Sequence, residues 1–191
     1  EAEVITIAKD KSSVSGDAHI ATMLPNGKFL LAISDGMGVG PKAAIESNAT
    51  ISMLRHLIEA GFDYEFAVRT VNSLLLLRCP GESFATVDLV VIDLYTGEGE
   101  FIKVGSSPSF IKRGDDVEVV GHGSLPAGIL TTIEIERFSR RLEEGDILVA
   151  SSGWLPAPRV RSLRGLTNPM LRVAYPTWGP RRSMRPRSRN F

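Results

Sequence analysis

Cysteine is nearly absent from the sequence: Cys79 is the single one among 191 residues. An internal disulfide is therefore excluded, which agrees with a reducing compartment such as the cytosol. No apolar run approaches the roughly 18 residues of a membrane-spanning helix, and no signal peptide opens the sequence. The strand-like first residues leave open that the chain belongs to a longer protein with a membrane segment elsewhere. We expect a cytoplasmic domain without a membrane segment of its own.

Acidic residues are missing from the last part of the sequence. All 22 of them lie at or before Asp146, and the remainder contains nine arginines, no lysine and no acid. The formal net charge of zero therefore combines −9 up to Asp146 with +9 after it. Six of the 11 prolines and both tryptophans also follow residue 150. This break predicts a domain over residues 1–153 and a basic, Pro/Arg-rich tail over 154–191.

The remaining sequence has the composition of a globular protein, with 43% hydrophobic and 23% charged residues. Apolar periodicity and turn residues predict a hairpin, two helices and a run of short strands. The predicted helices cover 41–60 and the stretch from an N-cap at Asp63 to Pro80. Strands and helices are grouped rather than alternating, which favours an α+β fold with antiparallel sheets and packed helices.

Two carboxylates are predicted at the open end of the first hairpin. Its strands, 19–24 and 28–34, flank Asn26-Gly27, a strong signal for a two-residue type I′ turn. That turn pairs Asp35 with Ala18 and places Asp17 opposite Gly36. Strict alternation then puts the two aspartates on opposite faces, so sharing an ion requires a bend at a neighbouring glycine. Carboxylate and carbonyl oxygens are the ligands that Mg²⁺ or Mn²⁺ prefers.

Two other interpretations of these residues stay open. Asp-Gly pairs commonly form turns, and an Asp at a strand end commonly caps a backbone group. The glycine-rich stretch from Gly36 to Gly40 leads into a helix and is also compatible with phosphate binding. It lacks the Lys-Ser/Thr ending of a P-loop, which makes that alternative a weak one.

Several short segments carry a more specific signal because they occur together and in order. They are Val14-Ser15-Gly16-Asp17, Ile33-Ser34-Asp35-Gly36-Met37-Gly38, Glu46-Ser47-Asn48, Ala85-Thr86-Val87-Asp88-Leu89, the stretch 103–113 and Leu125-Pro126-Ala127-Gly128. Over about residues 1–150 the chain resembles the phosphatase domain of the stage II sporulation protein E family, of the type 2C metal-dependent Ser/Thr protein phosphatases.

The resemblance implies a fold, a cofactor and a substrate. The fold is an α-β-β-α sandwich of two mostly antiparallel sheets, and the cofactor is a pair of Mn²⁺ or Mg²⁺ ions. Asp35 would bridge both ions, Asp17 would bind one, and Gly36 would offer its carbonyl, so that Asp17 and Asp35 are the catalytic candidates. The implied substrate is a phosphoserine regulatory protein of the anti-anti-sigma factor type, in sporulation or sigma-factor control. No nucleic-acid partner is expected.

The chain departs from this family at a late strand. The family has a second Ser-Asp-Gly there and further aspartates near its C-terminus, whereas this chain has Ser152-Gly153-Trp154 and no later acid. The second metal position and the C-terminal part of the sandwich are therefore predicted to be incomplete. One inserted base would convert codons for Ser-Asp-Gly into Ser-Gly-Trp, so residues 154–191 are compatible with out-of-frame translation. The alternatives are a genuinely divergent, disordered tail and a basic arm for nucleic acid or anionic lipid.

Two functions follow from these observations. The first is a metal-dependent phosphoserine phosphatase, favoured by Asp17, Asp35 and Gly36. The second is a catalytically impaired, phosphatase-like module that binds a phosphoprotein, favoured by the missing late carboxylates.

Overall fold

Two stacked β-sheets and two helices form the structure. The computed structural model describes residues 2–5, 15–36, 38, 40–78, 83–153 and 171–174, with the backbone alone for the first and last of these ranges. The strands are β1 Ala2–Ile5, β2 Asp17–Met23, β3 Lys28–Asp35, β4 Val87–Asp93, β5 Glu98–Val104, β6 Ser109–Arg113, β7 Asp116–Val120, β8 Glu136–Arg141, β9 Ile147–Ala150 and β10 Leu171–Ala174. The helices are α1 Pro41–Glu59 and α2 Tyr64–Arg78.

Each sheet has five strands. We call the sheet with the order β2-β3-β4-β5-β8 sheet I, and the sheet with the order β1-β10-β9-β6-β7 sheet II. All pairs in sheet I are antiparallel, while β10 runs parallel to both β1 and β9 in sheet II. The α+β class with two mostly antiparallel sheets is thus confirmed. In the part of the chain that the structure describes, helices cover sheet I only.

Both faces of sheet I are buried, which explains why β4 has almost no polar alternation. One face packs under α1 and α2, where the apolar stripes of the helices meet alternate residues of β3, β4 and β5. The other face packs on sheet II, with Leu31, Val90 and Phe101 against Ile111 and Leu148. The helices begin as their sequence signals predict. Pro41 opens α1, and Asp63 Oδ1 accepts hydrogen bonds from the backbone N–H groups of Glu65 and Phe66, at 2.9 and 3.2 Å.

The first hairpin has a different register from the one that the sequence predicts. Paired residues include Met23 with Phe29 and Asp17 with Asp35, so the loop contains three residues rather than two. The N–H of Leu24 donates to the carbonyl of Lys28 at 2.8 Å, and Gly27 takes the left-handed conformation with φ of 76°. Pro25 explains the difference. A two-residue loop would require a backbone N–H at that position, which proline does not have.

The segment predicted as a tail is described only in part. Leu171–Ala174 forms β10 between β1 and β9, and the rest of 154–191 lies outside the described residues. Leu171–Ala174 is thus a strand, and the predicted disorder stays a prediction for the rest of 154–191. None of the helices in the described ranges is long and apolar enough to cross a membrane.

Candidate metal centre

Asp17 and Asp35 lie directly opposite each other, at the start of β2 and the end of β3. The next pair outward is joined by the N–H of Gly36 donating to the carbonyl of Gly16 at 3.3 Å. Hydrogen-bonded and non-hydrogen-bonded pairs alternate along an antiparallel ladder, so Asp17 and Asp35 form a non-hydrogen-bonded pair. Such pairs have the closer side chains, with Cα atoms about 4.5 Å apart. The predicted pairing of Asp35 with Ala18 is wrong, and both carboxylates project from the same face without a bend.

The shared face of the two aspartates is the one that packs on sheet II. Leu31 and Ile33 lie four and two residues before Asp35 in β3 and therefore on the same face of the strand. Both are buried between the sheets. The carboxylate pair therefore lies at one end of the layer between the two sheets. Asp17 and Asp35 are themselves half-buried.

Neighbouring hydroxyl groups hold both aspartates in place. The backbone N–H of Asp35 donates to Thr86 Oγ1 at 2.9 Å, and its carbonyl accepts from the Thr86 N–H at 3.0 Å. The Ser15 hydroxyl donates to Asp17 Oδ2 at 2.8 Å, and the Asp17 N–H donates to Ser15 Oγ at 3.3 Å. Neither Ser15 nor Thr86 was identified as a site residue from the sequence. They lie in segments that carry the family resemblance, but no local pattern marks their contacts.

The glycines beside the aspartates allow helix α1 to approach. A Cβ at Gly36 would lie 2.2 Å from the carbonyl oxygen of Ala43, and a Cβ at Gly16 would lie 2.9 Å from the Ala43 Cβ. Gly36 also bridges to Ala85 beside β4. The predicted purpose of these glycines, a bend that lets the aspartates converge, is therefore wrong. They are needed because the first turn of α1 packs directly on the backbone of the carboxylate-bearing strand ends.

The glycine-rich stretch from Gly36 to Gly40 is only partly described. Gly38 and Gly40 have positive φ values of 91° and 79°, and Gly40 is the N-cap residue of α1 without a side-chain cap. Residues 37 and 39 lie outside the described residues. The phosphate-binding interpretation of this stretch therefore stays a prediction.

The end of β9 provides hydroxyl groups where the family pattern has a carboxylate. Ala150 faces the layer between the sheets, and Ser151 and Ser152 that follow it are buried. The Ser151 hydroxyl donates to the carbonyl of Gly153 at 2.8 Å, which closes a short turn. Within the described residues no group of three or more His, Cys, Asp or Glu side chains is arranged to hold a metal ion.

The donor set fits part of the metal centre that the resemblance implies. Two carboxylates on one face and the backbone of Gly36 match the oxygen ligands of one hard divalent cation. Ser15 supports the carboxylate of Asp17, and Thr86 supports the backbone of Asp35, as contacts around metal ligands do. A second ion requires further carboxylates, and the carboxylate in the next row of this layer, that of Asp88, is ion-paired with Lys103. Among the residues that the structure describes, these donors would therefore suit one cation rather than a pair.

His19 is the titratable side chain next along β2 on the same face as Asp17. Partial burial lowers the pKa of this imidazole below its ordinary value, because burial disfavours the charged form. The uncharged form of the ring is therefore favoured more than it is in a fully solvated histidine.

A model of the stage II sporulation protein E (SpoIIE) family matches residues 25–153, more than half of the chain. The chain belongs to the SpoIIE family. This match includes Asp35, Gly36 and the end of β9, whereas Asp17 precedes it. The family resemblance seen in the sequence is confirmed.

Relatives of this SpoIIE-family chain agree with the fold. Stage II sporulation protein E of Bacillus subtilis (strain 168) is 46% identical over 145 residues, which are 76% of this chain and 18% of that protein. A solved structure of the PP2C phosphatase domain with a fragment of the regulatory domain of B. subtilis SpoIIE has 46% identity and a TM-score of 0.66. That match covers 73% of this chain and 40% of the solved chain. A structure of RsbU and RsbW domains from Mycobacterium tuberculosis has 25% identity and a TM-score of 0.62, covering 73% of this chain and 39% of that one.

These comparisons place the chain among PP2C-type serine/threonine phosphatase domains, a family that generally depends on Mn²⁺ or Mg²⁺. The chain spans less than half the length of each of the three proteins compared above. Activities and partners that belong to the whole of a relative are therefore not established for this chain by the match.

Proposed function

We propose that this chain is a metal-dependent phosphatase domain that acts on a phosphoserine in a regulatory protein of the anti-anti-sigma factor type. The family membership supports the reaction class. The observation that carries the proposal for this chain is the opposition of Asp17 and Asp35 on the face between the sheets. Two carboxylates in that arrangement would supply oxygen ligands to Mn²⁺ or Mg²⁺ at one end of the layer between the sheets.

Each residue has a defined part in this proposal. Asp35 and Asp17 hold the cation, with the carbonyl of Gly36 as a third oxygen donor. Thr86 and Ser15 fix the two aspartates through their hydroxyl groups. A divalent cation bound there would lower the pKa of a coordinated water and neutralise phosphoryl oxygen charge. A phosphoserine would reach this site at the start of β2 and the end of β3.

Turnover is expected to be slow, because only one side of the family's metal centre is supplied by the described residues. The experiment is phosphate release from a phosphoserine-containing anti-anti-sigma-type protein with Mn²⁺, compared between the chain and Asp35→Asn. Release that needs Mn²⁺ and disappears in Asp35→Asn supports the proposal. Release that is equal in the two proteins contradicts it, since the aspartate would then have no part in the reaction.

A second candidate is a phosphatase-like module that binds a phosphoprotein without turning it over. Ser151 and Ser152 favour it, because they bring hydroxyl groups rather than a carboxylate to the end of β9. Binding of the phosphorylated protein, in preference to its unphosphorylated form and without phosphate release, would support this function. In that case Asp35→Asn is expected to weaken phosphoprotein binding when Mn²⁺ is present.

A further inference from the structure

A lysine is buried in the layer between the two sheets. Lys103 in β5 and Asp88 in β4 lie opposite each other in sheet I, and their side chains are 1% and 2% exposed. The ammonium group contacts three oxygens: Asp88 Oδ1 at 2.7 Å, Ser109 Oγ at 2.9 Å and the carbonyl of Ser107 at 3.0 Å. The contacts with Ser109 and Ser107 are hydrogen bonds, and the contact with Asp88 is an ion pair.

This cluster joins the two sheets. Asp88 and Lys103 belong to sheet I, whereas Ser109 begins β6 in sheet II, and its hydroxyl also donates to Asp88 Oδ2 at 3.2 Å. Ser107 lies in the turn by which the chain crosses from one sheet to the other. A Cβ at Gly121 would lie 2.6 Å from Cδ of Lys103, so the surroundings fit closely around the lysine stem.

The cluster also lies next to the carboxylate pair, in the adjacent row of side chains on the same face of sheet I. Asp88 pairs with Ile33, which is two residues before Asp35 and on the same face of β3. Residues two apart in a strand are separated by roughly 7 Å, so the ion pair occupies the row next to Asp17 and Asp35. Thr86, which holds the backbone of Asp35, is likewise two residues before Asp88.

The energetics favour a role in geometry rather than in net stability. Burying an ammonium and a carboxylate costs several kcal/mol per ion, and apolar replacements of such pairs are often no less stable. Apolar contacts are non-directional, whereas an ion pair with three defined oxygen contacts permits one arrangement of the two sheets. The rest of the layer consists of apolar side chains such as Phe101 and Ile111.

We propose that Lys103, with Asp88 and Ser109, is a positioning residue that fixes the spacing of the two sheets beside Asp17 and Asp35. Through that spacing it sets the affinity of the site for a divalent cation. The second part of this inference rests on the proposed metal role of the two aspartates. The first part concerns the sheets alone and is tested without metal.

The test compares Lys103→Met with a matched control, Lys112→Met. Lys112 is also buried, and its ammonium donates to the carbonyl of Gly114. It directly follows Ile111, which packs on sheet I, so the side chain of Lys112 lies on the opposite face of β6 and faces away from sheet I. Amide hydrogen exchange is measured at Asp35 and Thr86 beside the site and at Leu24 in the hairpin loop. Mn²⁺ affinity is measured on the same proteins from the electron paramagnetic resonance signal of free Mn²⁺.

In Lys103→Met we expect exchange about tenfold faster at Asp35 and Thr86, with Leu24 unchanged. We also expect Mn²⁺ binding weakened about tenfold, the scale of losses in supporting contacts around metal ligands. Lys112→Met should change neither measurement. If the amides of Asp35 and Thr86 exchange in Lys103→Met as slowly as in the unmodified chain, the positioning role is overturned. It is also overturned if exchange becomes equally faster along the whole hairpin, including Leu24.

The two proposals fail in different ways. If the unmodified chain binds no Mn²⁺, the proposed function fails, and the exchange pattern alone still decides whether Lys103 positions the sheets. If Lys103→Met does not fold, Ser109→Ala replaces it, because that change removes only the hydroxyl link to sheet II. We expect about threefold faster exchange at Asp35 in Ser109→Ala, and unchanged exchange would overturn the inference.

Discussion

Asp17 and Asp35 face each other as a non-hydrogen-bonded pair at the open end of the first hairpin. This relationship depends on the loop at the other end of the same hairpin. A three-residue loop ending at Gly27 pairs the aspartates on one face, whereas a loop one residue shorter would place them on opposite faces. The turn chemistry of Pro25 and Gly27 therefore determines whether the two carboxylates can share a cation.

The first prediction concerns that loop. In Gly27→Ala, alanine must adopt the left-handed conformation, with φ of 76°, and its Cβ would lie 2.5 Å from Cε2 of Tyr95. We expect a loss of about 1–2 kcal/mol in the free energy of unfolding, measured by urea denaturation. Gly114→Ala is the control for backbone strain alone, because φ is 58° there and no atom lies within 4 Å of the added Cβ. Similar losses in the two variants would argue against the contact with Tyr95.

A second prediction separates two close approaches of α1. Gly16→Ala brings a Cβ to 2.9 Å from the Ala43 Cβ, whereas Gly36→Ala brings one to 2.2 Å from the Ala43 carbonyl oxygen. We expect Gly16→Ala to cost about 1–3 kcal/mol in the free energy of unfolding, and Gly36→Ala to cost more. Because only the first clash involves a side chain, Ala43→Gly should relieve Gly16→Ala and not Gly36→Ala. A double-mutant cycle for each pair measures the coupling. Equal coupling in both cycles would contradict the described packing.

Much of this fold can be predicted from the sequence, and the register of the hairpin shows where prediction fails. Periodicity and caps identify α1 and α2, because the apolar side chains of each helix pack on one layer, and apolar runs bounded by turn residues identify most strands. Asn26-Gly27 correctly indicates a hairpin, but Pro25 changes the loop length by one residue. A single missing N–H therefore reverses which side chains share a face.

The site could be predicted only as far as its residues lie close together in the sequence. Asp17, Asp35 and Gly36 follow from the hairpin and from the family resemblance. The contact between Asp35 and Thr86 joins residues 51 positions apart, and only the pairing of β3 with β4 brings them together. Lys103 stands between Ile102 and Val104 in an apolar strand, where no local pattern distinguishes a buried ion pair from an edge position.

A third prediction concerns the segment that covers α2. The Gly128 N–H donates to Asn72 Oδ1 at 2.8 Å, and Asn72 Nδ2 donates to the carbonyl of Leu130 at 3.0 Å. Asn72→Ala leaves a buried N–H and a carbonyl without these partners, which should cost about 2–3 kcal/mol in the free energy of unfolding. Ser73→Ala, on the exposed side of the same helix, should change it by less than about 0.5 kcal/mol.

The removal of the Asn72 contacts should also change hydrogen exchange close to the site of the substitution. The Ala127 amide donates to the carbonyl of Ala85 and lies beside the released segment. Faster hydrogen exchange is expected at this amide in Asn72→Ala and not in Ser73→Ala. A loss of stability without faster exchange at Ala127 would show that Asn72 acts elsewhere.

A fourth prediction concerns the gene. If residues 154–191 are translated out of frame, removal of one base at the codon for Ser152 should restore Ser-Asp-Gly, and the restored frame should continue into an acid-containing sequence with helical periodicity. The nucleotide sequence decides this. A stop codon or an arginine- and proline-rich continuation in the other frames would leave a genuinely divergent tail as the explanation.

The most direct test of the central claim is Mn²⁺ binding to the chain and to Asp17→Asn, Asp35→Asn and Asp116→Asn. The last variant is the control, because Asp116 is an exposed carboxylate at the start of β7 in the other sheet. Titration followed by electron paramagnetic resonance should give one bound ion for the chain and for Asp116→Asn, and binding at least about tenfold weaker in each of the other two. Equal affinity in all four proteins would contradict the claim that Asp17 and Asp35 hold one cation.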